Sequence, residues 1–398
     1  MQDSQAPMKL LIAGGGTGGH VFPALAVAHE WIRRGLEPAS SEAAAAPVSK
    51  TVASSPIGGK RDVVIVGTER GLEAKLVPQA GVPLETIRAA GLKGMGAGRF
   101  LRNVAMLGPG FLDSAAILRR HRFAAAFGVG GYASGPVMLL AILKGIPSVI
   151  FEPNVEPGFT NRVLAGLATR VAIGFQAGAD RWGRKAVVTG CPVRKEFFAA
   201  PVHTHNAPLR LLITGGSRGA HPINQAVIDS LPSWSQRKNR FLVVHQTGER
   251  DYNAVRIAYA QRDFPAEVSP FIENMAEQFA QADLIVCRAG AITVAEIAAA
   301  GRAAIFIPFG AATDAHQLHN ARAMEAQGAA RVLPQSELTP ERLTREIFSL
   351  LDQPRKLAEM EERARALARP RAVEDIVDLL ESVARPSRSE LAPARGAR

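Results

Sequence analysis

Short apolar runs alternate along the chain with longer stretches rich in Ala, Leu and Glu. Each short run is apolar at consecutive positions, which is typical of strands that are covered on both faces. The intervening stretches have the composition of helices and would supply that cover. The pattern therefore predicts an α/β protein with parallel sheets. The predicted strands are Lys9–Ala13, Val63–Gly67, Ala124–Val129, Ser148–Glu152, Arg210–Thr214, Phe241–Gln246, Leu284–Cys287 and Ala304–Pro308.

A strand, a glycine-rich turn and the start of a helix follow one another twice, 200 residues apart. The first copy is Leu10–His20 (LLIAGGGTGGH) and the second is Arg210–Ala220 (RLLITGGSRGA). In each copy a hydroxyl residue, Thr17 or Ser217, follows the first glycines. Two such openings predict two doubly wound domains. We expect these domains at residues 8–193 and 209–353, followed by C-terminal helices at 354–383.

Composition narrows the class of protein. The 398 residues are 47% hydrophobic and 21% charged, with a net charge of +11, and this balance excludes a disordered chain or a polytopic membrane protein. Two cysteines, Cys191 and Cys287, cannot form a disulfide framework, which favours a reducing compartment. The uncharged stretch Phe123–Leu143 is long enough to span a bilayer, but its glycines and Pro136 fit a strand, a loop and a helix start better.

Two segments have the composition of peripheral regions. Pro38–Lys60 is rich in Ala, Ser, Pro and Gly, and we interpret it as a mobile insertion. The last residues, Arg385–Arg398, contain four arginines and one glutamate, which predicts a disordered basic tail.

Three strand ends are rich in glycine: Gly14–His20, Gly128–Tyr132 and Gly215–Ala220. Glycines let the backbone approach a ligand closely, and the N–H groups at a helix start attract anions. Neither a Walker motif nor a dinucleotide fingerprint is present. Glycine turns also serve tight packing of strand on helix, so the residues alone leave both interpretations open. As binding loops, the three would suit two phosphate-bearing ligands.

Polar residues follow two of the predicted C-terminal strands. Glu296 lies about two turns into the helix that follows Cys287, where its carboxylate could accept both hydroxyls of a ribose or could simply favour the helix electrostatically. Asp314, Gln317 and Asn320 are suited to hydroxyl recognition, as is His316. A metal at His316 and His319 would lack a third ligand at convincing spacing, and helix caps with a solvated face are the alternative.

Eight motifs in order carry a resemblance that extends from about Lys9 to Val383. They are GGGTGGHVFPALAVA (14–28), GTERGLEAKLVPQAG (67–81), GVGGYASGP (128–136), EPNVEPGFTNR (152–162), GCPVR (190–194), GGSRGA (215–220), CRAGAITVAEIAAAG (287–301) and the polar run 314–320. Together they resemble the MurG family of glycosyltransferases, the N-acetylglucosaminyltransferases of peptidoglycan synthesis. The sequence departs from the family in two places: Pro153 replaces a usual glutamine, which puts one polar contact beside Asn154 in doubt, and the 38–60 connection is longer.

The resemblance implies a GT-B fold, in which two Rossmann-like domains face each other across a cleft. It implies that Ser217 contacts the donor diphosphate, that Glu296 contacts the ribose, and that Ile272 offers its backbone to the uracil. Gln317 would hold sugar hydroxyls. The resemblance also implies that the donor pocket is lined by Ala291, Ile292, Thr293, Val294 and Ala295. From the first domain it implies contributions of Thr17, Gly18, Gly19, Asn154 and Arg194.

The implied reaction transfers N-acetylglucosamine from UDP-N-acetylglucosamine to the muramoyl 4-hydroxyl of lipid I, giving lipid II, without a cofactor or a metal. Direct displacement inverts the anomeric carbon and needs a base on the acceptor hydroxyl. We expect that base to be His20, whose imidazole titrates near neutral pH. Alternatively, His20 orients the acceptor or caps local carbonyls, and Glu152 is the base.

Charge and amphipathy predict where the protein acts. Residues 92–122 carry six basic side chains against one aspartate, interleaved with apolar residues. Such a segment could dock on the anionic cytoplasmic face of the bacterial cell membrane, or it could be an ordinary helix pair with its apolar face in the core. A non-hydrolysing UDP-sugar epimerase and a nucleic-acid binder are the alternative functions. We expect no nucleic-acid partner, because the charge is dispersed and only 6% of residues are aromatic.

Overall fold

The computed structural model describes residues 8–36, 61–89, 107–202, 205, 208–309 and 315–384. The chain divides into two compact units. Of the described residues, those within 8–152, 157–192 and 371–384 form unit 1, and those within 153–156 and 193–370 form unit 2. Each unit has its own parallel sheet, so the prediction of an α/β protein with two Rossmann-like domains is confirmed. The predicted insertion at 38–60 and the predicted tail at 385–398 lie outside the described residues.

Unit 1 is built on a seven-stranded sheet in the order β3-β2-β1-β4-β5-β6-β7. Its strands are β1 (Met8–Gly14), β2 (Arg61–Gly67), β3 (Leu84–Thr86), β4 (Ala125–Gly130), β5 (Ser148–Glu152), β6 (Arg170–Ile173) and β7 (Ala186–Val188). Its first helices are α1 (Gly18–Leu36), α2 (Glu73–Gln79), α3 (Leu107–Arg120), α4 (Ser134–Leu143) and α5 (Phe159–Leu167). The central strands are buried at consecutive positions because helices cover both faces of the sheet.

The strand order of unit 1 reverses between β1 and β4, where ligands bind in doubly wound sheets. Ala13 pairs with Gly128, but Gly14 pairs with Gly130, so the register shifts by one residue at this point. A Cβ atom on Gly14 would lie 2.1 Å from Cγ2 of Val129. Only a glycine lets the two strand ends approach this closely.

Unit 2 has a six-stranded sheet in the order β10-β9-β8-β11-β12-β13. Its strands are β8 (Leu209–Thr214), β9 (Phe241–Gln246), β10 (Ala266–Ser269), β11 (Leu284–Cys287), β12 (Ala304–Phe306) and β13 (Arg331–Val332). Its helices are α6 (Lys195–Phe198), α7 (His221–Trp234), α8 (Tyr252–Ala260), α9 (Met275–Gln281), α10 (Ala291–Ala300), α11 (His316–Ala326), α12 (Pro340–Leu351) and α13 (Pro354–Ala366). The reversal point here lies between β8 and β11, whose carboxyl ends lead into the Ser217 loop and α10.

All eight predicted strands are present, and the structure adds the short strands β3, β6, β7, β10 and β13. The stretch tested as a membrane span is the strand β4 followed by the helix α4. Among the described residues, no helix combines the length and the apolar character needed to cross a membrane.

The region 354–383, which the sequence groups as one set of helices, divides between the two units. The helix α13 stays in unit 2, whereas α14 (Ala372–Val383) returns to unit 1 and packs on α1. Pro370 separates the two helices because a proline disfavours helical backbone in the preceding residue. Arg34 on α1 donates to the Asp378 carboxylate at 2.6 Å and to the Glu374 carbonyl at 3.2 Å.

The helix α14 should contribute substantially to the stability of unit 1. Ile376 is fully buried, so Ile376→Ala leaves a cavity, and we expect it to lower the free energy of unfolding by about 2–4 kcal/mol. Ser382→Ala, at an exposed position of the same helix, should change it by less than about 0.5 kcal/mol. Denaturant unfolding measures both. Equal stability of the two variants would show that α14 is not part of the cooperative core.

Candidate functional site

The first glycine loop connects β1 to α1. Gly14 and Gly15 are buried, whereas Gly16, Thr17 and Gly19 are exposed and Gly18 is half-buried. Gly16 has φ +92°, a conformation that an L side chain rarely adopts. Because the first N–H groups of a helix have no intrahelical partner, the start of α1 presents donors and a partial positive charge to solvent. The loop is therefore suited to an anionic or oxygen-rich group.

His20 lies in the first turn of α1, against the second glycine loop. Its Nδ1 is 3.2 Å from the Thr17 hydroxyl, and a Cβ atom on Gly130 would be 3.2 Å from its Nε2. Burial lowers the pKa of His20, while a hydrogen bond to the Gly15 carbonyl and the charge of Glu73 partly offset this effect. The imidazole is therefore neutral at pH 7, and one of its ring nitrogens can accept a proton.

Glu73 is a contributor to this loop that the sequence analysis missed. Its carboxylate accepts a hydrogen bond from the Gly16 N–H at 2.7 Å. Burial raises the pKa of Glu73, but the hydrogen bonds from Gly16 and Thr68 outweigh it and hold the pKa below its usual value. The signal in the sequence was a carboxylate close to two glycines, Gly67 and Gly71, in the motif 67–81.

Glu152, at the end of β5, is buried and serves a local structural role. Its Oε2 accepts from the Gly158 N–H at 3.2 Å and from Asn161 Nδ2 at 3.0 Å. The same Nδ2 donates to the Phe151 carbonyl at 2.9 Å, so Asn161 fixes the start of α5 against β5. The carboxylate of Glu152 therefore already has protein donors.

In unit 2, the loop after β8 repeats the arrangement seen after β1. The Gly216 N–H donates to the Thr214 hydroxyl at 3.1 Å, and Ser217 is exposed at the tip of the loop. Gly219 has φ +73°, and a Cβ atom there would lie 1.9 Å from the Thr247 carbonyl oxygen. The close approach of these two backbones fixes the shape of the loop, and Ser217 at its tip and His221 at the start of α7 are exposed.

Gln246 connects this loop to the segment that contains Ile272. Its buried side chain donates to the Gly216 carbonyl at 2.9 Å and accepts from the Ile272 N–H at 3.1 Å. The Ile272 N–H is therefore engaged within the protein. Ile272 lines a pocket of about 300 Å³ together with Ser269 and Asn274. The sequence analysis treated Gln246 only as a strand end.

The helix α10 begins directly after Gly290 and carries Glu296. Burial raises the pKa of Glu296 to about 7, and the positive charge of Arg194 lowers it slightly. Among the residues that the structure describes, none donates a hydrogen bond to this carboxyl. Arg194 itself precedes α6 and lies over the ring of Phe197 at 5.1 Å. Around Glu296, Ala291 and Val294 are buried and three residues are half-buried: Ile292, Thr293 and Ala295.

Asn320 and Gln317 hold backbone segments in unit 2. Asn320 is buried, accepts from the Val155 N–H at 2.9 Å, and donates to Asn154 Oδ1 at 3.1 Å and to the Ala289 carbonyl at 3.2 Å. Gln317 Oε1 accepts from the Phe309 N–H at 2.9 Å. The expectation that Asn320 recognises a ligand hydroxyl is wrong, because its polar atoms are used in these contacts.

Two other expectations concern where residues of the predicted site lie. Asn154 and Arg194, which the resemblance assigned to the first domain, belong to unit 2. Asp314 lies outside the described residues. Across the described ranges, no three His, Cys, Asp or Glu side chains form a group that could hold a metal ion.

The fold and the two loops define the class of protein. Two parallel-sheet units, each with a glycine-rich loop at the carboxyl edge of its sheet, are the architecture of a GT-B glycosyltransferase. The model of the glycosyltransferase family 28 N-terminal domain matches residues 10–45 and 59–173, and that of the family 28 C-terminal domain matches residues 210–376. The chain belongs to the MurG family of these glycosyltransferases.

Individual relatives support this assignment. A UDP-N-acetylglucosamine--N-acetylmuramyl-(pentapeptide) pyrophosphoryl-undecaprenol N-acetylglucosamine transferase of Myxococcus xanthus is 42% identical, covering 94% of this chain and 92% of its own. The crystal structure of MurG from Acinetobacter baumannii matches with a TM-score of 0.74 and 32% identity, covering 94% of this chain and 100% of its own. A UDP-GlcNAc 2-epimerase from Neisseria meningitidis has a TM-score of 0.63 over 94% of this chain and 100% of its own, but its 13% identity indicates a shared fold only.

The raised pKa of Glu296 predicts a pH-dependent cost in stability. The folded protein keeps this proton up to about pH 7, whereas the unfolded chain releases it near the ordinary value of 4.5. The carboxyl therefore favours folding below pH 4.5, and that contribution is lost as the pH rises through 7. We expect the free energy of unfolding of Glu296→Gln to exceed that of the wild type by about 1–3 kcal/mol at pH 8. At pH 5 the difference should be smaller.

Thermal unfolding at both pH values tests this expectation. Glu249→Gln, at an exposed position of unit 2, is the matched control and should not change the difference between pH 5 and pH 8. A destabilised Glu296→Gln variant at pH 8 would mean that the carboxylate has a stabilising partner.

Proposed function

We propose that the protein transfers N-acetylglucosamine from UDP-N-acetylglucosamine to the 4-hydroxyl of the muramoyl residue of lipid I, which gives lipid II. The named activity of its close relatives supports this function. The observation in this chain that carries it is the half-buried carboxyl of Glu296, without a hydrogen-bond donor among the described residues and close to the start of α10. Such a carboxyl is suited to the two neighbouring hydroxyls of a ribose.

The donor would bind to unit 2. Its diphosphate would lie at the Ser217 hydroxyl and the first N–H groups of α7, where the helix dipole favours an anion. The carbonyl of Ile272 would accept the N–H of the uracil edge, since its own N–H is bonded to Gln246. Arg194 and residues 291–295 would complete the pocket around Glu296. Gln317 and Asn154 would contact the transferred sugar.

The acceptor would bind to unit 1, with its pyrophosphate at Thr17, Gly18 and Gly19. His20 would be the base, because its imidazole is neutral at pH 7 and lies beside the exposed loop. Glu152 is less suited to this task, since it is buried and already accepts hydrogen bonds from Gly158 and Asn161. This supports His20 among the alternatives that the sequence left open.

The chemistry is a single displacement. The acceptor O–H bond breaks as His20 takes the proton, the oxygen forms a bond to the anomeric carbon, and UDP leaves with the electron pair of the broken bond. Inversion converts the α-linked donor into a β-linked product. The negative charge that develops on UDP would be stabilised by the Ser217 loop and the start of α7. Transfer further requires that the two reacting atoms meet in line.

Two variants separate chemistry from donor binding. His20→Ala removes the base, so kcat should fall about 10²- to 10⁴-fold while the Kd for UDP stays within about two-fold. Glu296→Gln removes a charged acceptor and should weaken UDP binding by about 10- to 100-fold. UDP release with a lipid I analogue and calorimetric UDP binding are the measurements.

His29→Ala, at an exposed position of α1, is the matched control for His20 and should behave like the wild type. Release of UDP that needs no acceptor, or isomerisation of the sugar without an acceptor, would contradict the transferase.

We also propose that unit 1 acts as a peripheral protein at the anionic cytoplasmic surface of the bacterial membrane. The exposed face of α5 presents Phe159, Val163 and Leu167, each one turn from the next, beside exposed Arg162. Of the segment 92–122, in which the sequence predicts membrane docking, residues 92–106 lie outside the described part. Ile117 and Leu118 pack in the core, as expected for the alternative of an ordinary helix pair. An apolar stripe next to basic charge supports insertion among acidic headgroups.

Vesicle co-sedimentation tests this proposal. Replacing both Phe159 and Leu167 by Ser should reduce binding to vesicles that contain phosphatidylglycerol by about ten-fold or more, because two apolar side chains no longer enter the bilayer. Val187→Ser, on the edge strand β7, is the control and should bind as the wild type does. Binding that depends neither on anionic lipid nor on the salt concentration would contradict the proposal.

A further inference from the structure

Glu73 joins the turn after β1 to the turn after β2, its neighbour in the sheet. Its side chain is only 1% exposed. Oε2 accepts from the Gly16 N–H at 2.7 Å. Oε1 accepts from the Thr68 N–H at 2.9 Å and from the Thr68 hydroxyl at 2.8 Å. Both carboxylate oxygens are thus used in contacts with the two turns.

Three glycines leave the space that this side chain fills. A Cβ atom on Gly15 would lie 2.2 Å from Oε1, one on Gly67 would lie 2.4 Å from Cγ, and one on Gly71 would lie 2.0 Å from Oε2. Each distance is too short for a real contact, so a side chain at any of the three positions would displace the carboxylate. The two turns are therefore shaped around Glu73.

A single peptide group connects Glu73 to His20. The Gly15–Gly16 peptide donates its N–H to Glu73, and the backbone of Gly15 raises the pKa of the neighbouring His20 ring. Because the peptide is planar, it cannot rotate without breaking both contacts. A Cβ atom on Gly131 would lie 2.4 Å from the Gly15 oxygen, so the second glycine loop closes over the same carbonyl.

We propose that Glu73 is a positioning residue for the transfer reaction: through the Gly15–Gly16 peptide it holds the His20 imidazole in the orientation that receives the acceptor proton. This inference depends on the proposed function of His20 as the base. Nδ1 of the ring contacts the Thr17 hydroxyl at 3.2 Å, and the ring nitrogen that carries no proton takes the acceptor proton. Glu73 keeps its charge throughout and does not exchange a proton.

Charge supports the same connection. Glu73 is the charged group that acts electrostatically on His20 among the described residues, and it raises the pKa of the imidazole. The other nearby polar contacts of the ring are neutral: the Thr17 hydroxyl and the Gly15 carbonyl. Glu152, another carboxylate of unit 1, at the end of β5, accepts hydrogen bonds from Asn161 and from the Gly158 N–H. Removal of the Glu73 charge should therefore lower the pKa of His20.

Glu73→Gln is the decisive variant, because it keeps the shape but presents an NH₂ group to N–H and O–H donors. We expect kcat to fall by about 10- to 100-fold as His20 loses its orientation. The Kd for UDP should stay within about two-fold. The acid limb of the kcat/KM profile should move to lower pH, because a base with a lower pKa stays deprotonated further into the acid range. Glu69→Gln removes the same charge at an exposed position of the same turn and should change none of these.

Titration of the histidine ring signals by NMR gives a readout that does not require turnover. The His20 signal is assigned from its absence in His20→Ala, and its pKa should be lower in Glu73→Gln than in the wild type. If the wild type itself transfers no sugar, the proposed function fails, and this titration still decides whether Glu73 and His20 are coupled. An unchanged His20 pKa would overturn the coupling.

A second variant covers the case in which Glu73→Gln does not fold. Glu73→Asp keeps the charge but is too short to reach both Gly16 and Thr68, so kcat should fall about ten-fold or more with UDP binding retained. Wild-type turnover by either folded variant would overturn the proposal. A purely structural role would lower the rate only together with stability, and would leave the acid limb in place.

Discussion

Both glycine loops depend on the absence of a Cβ atom where two backbones meet. In unit 1, Gly131 lies over the Gly15 carbonyl, and in unit 2, Gly219 lies over the Thr247 carbonyl, at distances that any side chain would prevent. Close approach of the backbones leaves the N–H groups at the helix starts as the available donors. The glycines thus determine both the shape of each loop and the kind of group it can bind.

Glycine gives these loops their shape but little rigidity, since a residue without a Cβ has the widest choice of conformations. Buried polar side chains supply the missing constraint. Glu73 fixes the Gly15–Gly16 peptide, Gln246 ties Gly216 to Ile272, and Asn320 holds Asn154 and Val155. In each case, a side chain from one element satisfies backbone or amide groups of another. Loops made of permissive residues are thereby held in one arrangement.

The sequence predicts the parts of this protein that follow from local patterns. Eight buried strands and two strand–glycine–helix openings are visible because continuous apolarity and glycine at a strand end are local signals. The strands β3 and β13 were missed because two or three residues carry no periodicity. The return of α14 to unit 1 could not be foreseen, since nothing in its composition says which sheet it covers.

The site follows the same division. Thr17, His20, Ser217 and Glu296 are visible in motifs, but whether a polar residue binds a ligand or a neighbouring loop depends on contacts far along the chain. Asn320 has the amide expected of a sugar-binding residue. Its Nδ2 instead donates hydrogen bonds to Asn154 and to the Ala289 carbonyl, so its role is structural. Glu73 and Gln246 were missed for the converse reason: Gly16 lies 57 residues from Glu73, and Gly216 lies 30 residues from Gln246.

Two carboxyls, the buried Glu73 and the half-buried Glu296, show what separates a structural group from one that is suited to a ligand. Burial alone disfavours the charged form of either residue. Glu73 is surrounded by N–H and O–H donors, and these outweigh burial and keep its pKa low. Glu296 has no such donor among the described residues, so burial dominates and raises its pKa to about 7. A bound ribose would supply the missing donors and favour the charged form of Glu296. Desolvation of the Glu296 carboxylate therefore also explains selectivity for the ligand. A nucleoside with two ribose hydroxyls supplies donors that offset this desolvation, whereas a ligand without these hydroxyls does not.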